Sequence, residues 1–264
     1  MAKYSAVNGV YRKVSKKYDP VEGVHRNVTK AFEPVDGVYR QYFSGGTPVG
    51  TLAVGESVWL NVDSTLTEFL VVHQGNPDSA LYDASCDGTW LLMKELFAGN
   101  WYWDGTDNDY ENSAIHEWLN NTILSKFDIR AVIKQVKIPY HKGVGKNGSV
   151  AYGSNGLSTK IFLLSGCEVG WDASEHYFPV DGVYLDYFNG MAVTDSRRIG
   201  YLNGTATLWE LRSAYTMSNN TVWAVSKTGG RGTQTVTPMV NFRPAFILDS
   251  NTTVNQSNGI NIIA

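Results

Sequence analysis

The chain has 264 residues, of which 43% are hydrophobic and eight are tryptophan. This content is enough to build a packed core, so the composition excludes a globally disordered chain. The formal net charge of −3 gives no reason to expect nucleic acid or an anionic membrane as a partner. No apolar run approaches the roughly 18 residues that a membrane-spanning helix needs, so no membrane insertion is expected.

The first 46 residues contain three copies of a 14-residue unit. The same residue types recur at fixed places in each copy, at Val7, Gly9, Val10 and Arg12, at Val21, Gly23, Val24 and Arg26, and at Val35, Gly37, Val38 and Arg40. Each copy has Asn-Gly, Glu-Gly or Asp-Gly between two valines, which indicates a hairpin, because glycine accepts the positive φ of a tight turn. A unit this short cannot form a core of its own and must pack against neighbouring units or another chain.

This repeat predicts two domains. Residues 1–46 form an anchoring and oligomerisation segment of β-arms, whose repeat is defined by Gly9, Arg12, Gly23, Arg26, Gly37 and Arg40. Residues 47–264 form a globular body, joined by a linker at 44–48. The segment has eight Lys and Arg against four Asp and Glu. Its basic residues either lie on solvated strand faces or dock on an acidic neighbouring protein.

The body begins with strand signals at 57–62, 67–72 and 90–93. Ser113 or Asn112 is a natural N-cap for a helix with an apolar stripe at Ile115, Trp118, Leu119 and Ile123. Further strands are predicted within 132–138 and at 160–165, 208–213, 222–225 and 242–248, with long loops at 141–158 and 226–241. One main helix among many short strands and long loops predicts an α+β fold.

Four motifs occur in order along the body. They are Glu111-Asn112-Ser113-x-Ile115-x-x-Trp118-Leu119-Asn120, Leu164-Ser165-x-x-Glu168-Val169-Gly170, Trp209-x-Leu211-Arg212-Ser213 and Phe242-Arg243-Pro244-Ala245-Phe246. Together they resemble an uncharacterised domain family, common in prophages and bacterial surface proteins, for which the resemblance implies a C-type-lectin-like fold over about residues 50–250. The repeats resemble short repeats of phage tail and other virion proteins. The calcium-dependent sugar-binding motifs of true C-type lectins are absent.

Some proteins with this fold are variable proteins of diversity-generating retroelements, including receptor-binding tips of phages. The corresponding stretch here, about 211–245, is dense in Asn, Ser and Thr. This composition is typical either of a displayed variable loop or of a loop that is merely solvated. The expected ligand-binding residues are exposed aromatics and adaptable polar side chains, namely Tyr215, Asn219, Asn220, Trp223, Arg231, Gln234 and Asn241.

Other candidate sites have simpler interpretations. Asp104, Asp107, Asp109 and Glu111 either cap the following helix or hold Ca²⁺. No metal or cofactor site is predicted, because the five histidines lack ligand spacing, and 143–148 resembles a phosphate-binding loop only superficially. Cys86 and Cys167 are expected to be free, buried thiols rather than the cysteines of an oxidase. Arg212 and Arg243 lie in apolar strands and are expected to be buried beside a carboxylate or carbonyl partner.

These features predict a phage or prophage virion adhesin, such as a tail fibre or receptor-binding protein, rather than an enzyme. The body would bind a protein or glycan receptor on the host cell surface, and the repeats would bind other virion proteins. A homotrimer is expected by analogy with other phage adhesins. The N-terminus has no secretory signal, so the chain is expected to be made in a host cytoplasm and to reside in the virion. A structural virion protein and a glycan-active enzyme are the alternatives.

Overall fold

The computed structural model describes six N-terminal strands and residues 46–99, 101–172, 177–190, 192, 195–257 and 259–263, with side chains described in these ranges from residue 46 onward except at 240 and 257. The N-terminal strands are β1 (Tyr4–Val7), β2 (Val10–Lys13), β3 (Tyr18–Val21), β4 (Val24–Asn27), β5 (Lys30–Val35) and β6 (Val38–Ser44).

These six strands form three antiparallel hairpins, one for each repeat. Each hairpin closes on a pair of valines, Val7 with Val10, Val21 with Val24, and Val35 with Val38. That register leaves two residues for each turn, as the Asn-Gly, Glu-Gly and Asp-Gly pairs predict. The repeated hairpin is therefore confirmed, while the turn glycines Gly9, Gly23 and Gly37 lie outside the described residues.

The backbone register also places the recurring arginine positions. Arg26 is the Cα partner of Asp19, Arg40 that of Glu33, and Arg12 that of Ser5.

The body contains nineteen further strands in its described residues. They are β7 (Thr47–Pro48), β8 (Ser57–Val62), β9 (Thr65–Gln74), β10 (Thr89–Met93), β11 (Trp101–Tyr102), β12 (Val136–Ile138), β13 (Tyr140–Lys142), β14 (Ser149–Ala151), β15 (Leu157–Thr159), β16 (Ile161–Phe162), β17 (Gly200–Leu202), β18 (Thr205–Thr207), β19 (Trp209–Ala214), β20 (Thr221–Val225), β21 (Arg231–Thr235), β22 (Met239–Val240), β23 (Ala245–Leu248), β24 (Thr253–Ser257) and β25 (Ile260–Ile262).

One eight-stranded sheet organises the body, in the order β16-β23-β10-β9-β8-β25-β24-β7. Its neighbours are antiparallel except for β25 beside β8. Every residue of β10 and β23 is buried, which explains their continuous apolar sequences. The predicted linker ends in β7, where Pro48 sits at the edge of this sheet opposite Thr253. An edge position suits proline, because proline has no N–H to donate to a further strand.

The helical segment begins as predicted. Helix α1 spans Ala114–Trp118, and the hydroxyl of its N-cap Ser113 accepts a hydrogen bond from the His116 amide at 3.3 Å. A π-helical turn (Leu119–Ile123) and a 3₁₀ turn (Leu124–Lys126) extend it. Ile115, Leu119 and Ile123 are buried, whereas Trp118 is only partly buried. Other single 3₁₀ turns lie at Val49–Thr51, Ala84–Cys86, Tyr110–Asn112, Gly145–Asn147, Gly153–Asn155, Asp186–Phe188 and Ser196–Arg198.

The body is therefore mostly β structure with one main helical segment and long loops, in agreement with the α+β expectation. Two predicted loops are wrong in part. The stretch 141–158 contains most of the β13–β14 hairpin and the start of β15, and 226–241 contains β21. These strands are short and polar, and backbone pairing holds them. Their sequences therefore do not show the alternating apolar residues by which a strand is predicted.

Both predicted buried arginines have partners. Arg212 Nη1 and Nη2 donate to Glu168 Oε2 and Oε1, each at 2.6 Å, and all of these atoms belong to side chains with no exposed surface. Arg243 donates from Nε to the Met93 carbonyl and from Nη2 to the Lys94 carbonyl, both at 3.0 Å. Burial lowers the pKa of Arg243 to about 10.

Cys86 and Cys167 are free and buried, as predicted. Burial raises the pKa of the Cys86 thiol to about 12 and that of Cys167 further, so neither is a reactive thiolate at neutral pH. Among the described residues, no helix has the length and apolar character needed to cross a bilayer.

Candidate recognition face on the C-terminal sheet

The predicted binding residues concentrate on a small antiparallel sheet formed by β19, β20 and β21. The register places Trp223 of β20 opposite Thr233 of β21, with Thr221 opposite Thr235 and Val225 opposite Arg231. Directly paired residues project to the same side of a sheet. One side therefore carries Trp223 together with two threonines from the edge strand.

An aromatic layer covers Trp223 on this side. The Phe178 ring stacks on Trp223 at 3.9 Å between centroids and 16° between planes, and Tyr215 meets Trp223 edge-on at 5.3 Å. Tyr177 in turn contacts Tyr215 edge-on at 5.9 Å. The guanidinium of Arg231 lies 5.8 Å from the Phe178 ring centre. Stacked and edge-on contacts of this kind stabilise a rigid aromatic cluster.

Solvent-exposed side chains lie on the segments that carry this cluster. Tyr177 and Met217 are 56% and 59% exposed, Tyr215 is partly buried, and Thr233 and Thr235 are exposed. We call these five residues, Tyr177, Tyr215, Met217, Thr233 and Thr235, the recognition face. Aromatic and methionine side chains beside hydroxyl groups offer apolar contact and hydrogen bonds to a partner without a charge of their own.

The turn that carries Tyr215 and Met217 is held from beneath by Asn108, a residue that we did not predict. Asn108 is fully buried, and its amide group donates to the carbonyls of Ser218 (2.8 Å), Thr221 (2.7 Å) and Tyr215 (3.4 Å). Its backbone N–H donates to the Asn219 carbonyl at 2.9 Å. One buried side chain thus satisfies three carbonyls of the turn and fixes its conformation.

Gly145 completes this support from the β13–β14 hairpin. Its N–H donates to Asn108 Oδ1 at 2.9 Å, so the Asn108 side chain links the hairpin to the turn. Gly145 has a φ of +50°, and a Cβ at this position would collide with Asn219 Oδ1. The positive φ favours glycine there, whereas the Asn219 side chain is exposed and could move aside. The region 143–148 is therefore a turn, as its lack of a phosphate-loop ending suggested.

The seven predicted ligand-binding residues do not form one surface. Tyr215 packs on Trp223, Arg231 lies over the Phe178 ring that stacks on Trp223, and Asn219 and Asn220 are exposed on the adjoining turn. Gln234 pairs with Val222, on the side of the sheet away from Trp223. Asn241 forms a bridge with Trp209, at the end of β19 opposite to Tyr215. Trp223 is only 5% exposed, so the expectation of an exposed tryptophan is wrong.

Sequence reasoning missed Tyr177 and Phe178, which close over Trp223. Their segment is fixed by long-range contacts, since the Thr216 hydroxyl and amide donate to the Tyr177 carbonyl at 3.0 and 3.3 Å. Further along the same segment, the buried Asp181 carboxylate accepts from the Ser213 hydroxyl at 2.7 and 3.0 Å. Burial raises the pKa of Asp181 to about 7. No local pattern signals contacts of this kind.

Among the acidic residues before the helix, Asp104 accepts from the first helical amide, and Asp109 and Glu111 bind other groups. Asp104 accepts from the amides of Thr106 (2.8 Å) and Ala114 (3.1 Å), and Asp109 accepts from Gly143 N (3.2 Å) and Asn112 Nδ2 (2.8 Å). Partial burial acts to raise the pKa of Asp104, but hydrogen bonds from the Thr106, Ala114 and Asp107 amides outweigh it and lower that pKa. Glu111 accepts from the Tyr140 hydroxyl at 2.7 Å. No His, Cys, Asp and Glu cluster of three or more in the described residues could hold a metal ion.

A buried carboxyl on β19 gives a test of pH dependence. Glu210 is 1% exposed, and its Oε1 has no hydrogen-bond partner within the described part of the chain. Burial raises the pKa of Glu210 well above its ordinary value of 4.5. The folded protein therefore retains a proton that the unfolded chain loses, so this group costs stability progressively as pH rises from 4.5 toward the folded pKa.

Replacing Glu210 by glutamine is expected to remove this cost. The free energy of unfolding of Glu210→Gln relative to the natural chain should rise as pH increases from about 4.5 to 8, by roughly 1.4 kcal/mol for each pH unit below the folded pKa. Urea unfolding at several pH values measures this difference. A difference between the two chains that stays constant over this pH range would show that Glu210 does not titrate as the structure implies.

Comparison with known proteins adds one match. A family model described as Domain of unknown function (DUF6273) matches residues 87–250. No curated protein and no solved structure matches the chain. The matched region contains helix α1, the Arg212–Glu168 pair and the recognition face, and it leaves out the N-terminal hairpins. Because the match spans more than half of the chain, the protein belongs to the DUF6273 domain family.

Proposed function

We propose that this chain is a phage or prophage virion adhesin whose recognition face binds a receptor on the host cell surface. The observation that carries the proposal is the recognition face itself. Tyr215 and Met217 lie on a turn that Asn108 fixes from beneath, and the exposed Tyr177 packs edge-on against Tyr215. A rigid support reduces the entropy lost on binding, which favours a surface made for recognition over a merely solvated loop.

The proposed fold of the body is C-type-lectin-like. Three observations support it: one main helical segment, short strands with long loops, and the way the four ordered sequence motifs meet in the core. Arg212 of the third motif pairs with Glu168 of the second, and its Nη1 also donates to the Leu163 carbonyl at 2.8 Å. The motifs thus define a scaffold, and the recognition face lies outside them.

The N-terminal hairpins are the proposed attachment segment. Each 14-residue unit forms one two-stranded hairpin, and a single hairpin is at best marginally stable in water. A partner surface or another copy of the chain would supply the missing contacts. We therefore propose that the hairpins bind other virion proteins and assemble the chain as a homotrimer, which places the protein in the virion.

The same surface is suited to diversification. Within 211–245, Met217, Asn219, Asn220, Thr233 and Thr235 are exposed, whereas Leu211, Arg212, Val222 and Ala224 are buried. A retroelement that diversifies this stretch would have to change the first group and spare the second. Sequences of the locus from sibling isolates test this, and changes spread equally over both groups would argue against diversification.

Binding to host cells tests the proposed function. The full chain is expected to bind the surface of host cells, and Tyr215→Ala and Met217→Ser are each expected to weaken that binding tenfold or more, because truncating a central aromatic or apolar contact costs about 1–2 kcal/mol or more. The controls Tyr201→Ala and Leu66→Ser remove comparably exposed side chains elsewhere and should bind normally. Normal binding by both test variants would contradict the proposal.

The two alternatives make different demands. A structural virion protein would bury the recognition face against neighbouring subunits, so the chain would bind particles rather than cells. A glycan-active enzyme would need two carboxyl groups facing each other across a cleft. The carboxylates of Glu168 and Asp181 are buried in the core, where Arg212 and Ser213 donate hydrogen bonds to them. This pair therefore does not supply such a cleft.

A further inference from the structure

A second surface feature lies on the outer side of the helical segment. It is a groove of about 470 Å³ lined by Trp101, Tyr102, Ala114, Glu117, Trp118, Asn121 and Thr122. None of these residues belongs to the recognition face. We call it the Trp101–Trp118 groove. Its volume lies within the range of small-molecule sites in proteins.

The helical spacing explains why these residues share one surface. Ala114, Glu117, Trp118, Asn121 and Thr122 follow one another at intervals of three, one, three and one residues, which places them along one face of the helical segment. The opposite face, with Ile115, Leu119 and Ile123, is buried in the core. Trp118 was expected to join that buried stripe, but it is only partly buried and lines the groove instead.

Stacked rings form one wall of the groove. Trp101 lies parallel to Trp118, with 5.2 Å between ring centroids and 6° between planes, and Tyr102 stacks on Trp101 at 5.3 Å. Phe242 packs edge-on against Trp118 at 5.0 Å and fixes that ring from the core side. All three groove rings are partly exposed. The wall is therefore a rigid aromatic platform.

The rim of the groove is polar and unpaired. Glu117, Asn121 and Thr122 are exposed, and their side chains make no hydrogen bond to any described part of the protein. The buried indole N–H of Trp101 likewise has no acceptor there. Glu117 is the one charged residue among the described residues that line the groove. A carboxylate without a neighbouring cation disfavours an anionic ligand.

We infer that the Trp101–Trp118 groove binds a neutral or amino-substituted sugar unit of a glycan. A pyranose ring has an apolar face of C–H groups that packs on aromatic rings, and a rim of hydroxyl groups that suits carboxylate, amide and hydroxyl side chains. The rings and the rim of the groove provide these two surfaces side by side. Glycoside hydrolysis uses two carboxyl groups, and the lining of the groove has one, which favours binding over hydrolysis. This inference goes beyond the proposed function, because it concerns a second site.

Ligand-observed NMR on the full chain tests the inference, with triacetylchitotriose, cellotriose and maltotriose as neutral probes and sialyllactose as the anionic one. At least one neutral probe is expected to bind saturably and more tightly than sialyllactose. The double variant Glu117→Gln, Asn121→Ala should raise the dissociation constant about tenfold or more, because it removes a charge-assisted and a neutral hydrogen bond. Both side chains are exposed and unpaired, so the fold should not suffer.

Two controls separate the sites. Asp128→Asn changes an exposed carboxylate outside the groove and should leave saccharide binding unchanged, as should Tyr215→Ala in the recognition face. The inference is overturned by the absence of binding to all three neutral probes, by undiminished binding in the double variant, by preference for sialyllactose, or by displacement of the sugar by unrelated peptides. Loss of cell binding in Tyr215→Ala with intact saccharide binding would leave both proposals standing and independent.

Discussion

Replacing Glu168 by glutamine is expected to destabilise the protein by about 3–5 kcal/mol, because it leaves the Arg212 guanidinium buried without its counter-charge. Glu168 accepts both Arg212 hydrogen bonds at 2.6 Å, and also accepts from the Tyr82 hydroxyl at 2.8 Å and the Ser165 amide at 2.9 Å. A neutral amide cannot satisfy the guanidinium and these donors together. Equilibrium unfolding in urea measures the loss.

An exposed ion pair provides the matched control. Lys126 and Asp63 lie 2.5 Å apart, and the Asp63 side chain is 69% exposed. Asp63→Asn should cost no more than about 1 kcal/mol, because solvent screens such pairs. Asparagine also tolerates the positive φ of this position. If Glu168→Gln lowers the free energy of unfolding as little as Asp63→Asn does, the buried Arg212–Glu168 pair does not stabilise the core.

Replacing Asn108 by aspartate is expected to disturb both the stability and the recognition face. The substitution keeps the shape but replaces an amide donor by an acceptor that faces the carbonyls of Ser218 and Thr221. A loss of at least roughly 2 kcal/mol is expected at neutral pH. A carboxyl in this place should hold its proton more strongly than in the unfolded chain, so the destabilisation should shrink as pH falls toward about 4.

Cell binding by Asn108→Asp should fall even at temperatures where the variant is fully folded, because the turn that carries Tyr215 and Met217 loses its support. Asn155 is exposed and makes no side-chain hydrogen bond within the described residues, so Asn155→Asp is the matched control and should change neither property. Unchanged cell binding by folded Asn108→Asp would show that the turn does not depend on Asn108.

Local sequence patterns predicted the parts of the fold that local interactions determine. The valine-flanked Asn-Gly, Glu-Gly and Asp-Gly pairs predicted a short β-arm or hairpin in each repeat, and Ser113 predicted the start of the helix. The need of a buried guanidinium for a partner predicted the environment of Arg212 and Arg243, although not the identity of Glu168 as the partner of Arg212. These predictions needed only turn, capping and burial chemistry.

The candidate site was predicted less well, because long-range packing creates it. The polar residues near Trp223 in the sequence predicted an exposed side chain. In the structure, Phe178, 45 residues earlier in the chain, covers it. Asn108 carries no sequence signal for its role, since the turn carbonyls to which it donates lie more than 100 residues away. The polar strand β21 escaped prediction because backbone pairing with β20 holds it.

Competition for adsorption distinguishes a virion adhesin from a structural virion protein. Host cells are incubated with an excess of the purified full chain before addition of the particles that carry it, and adsorption is counted. The proposed function predicts that the natural chain and Leu66→Ser block adsorption, whereas Tyr215→Ala and Met217→Ser do not. Undiminished adsorption, with the purified chain bound to particles instead of cells, would contradict it and would favour a structural virion protein.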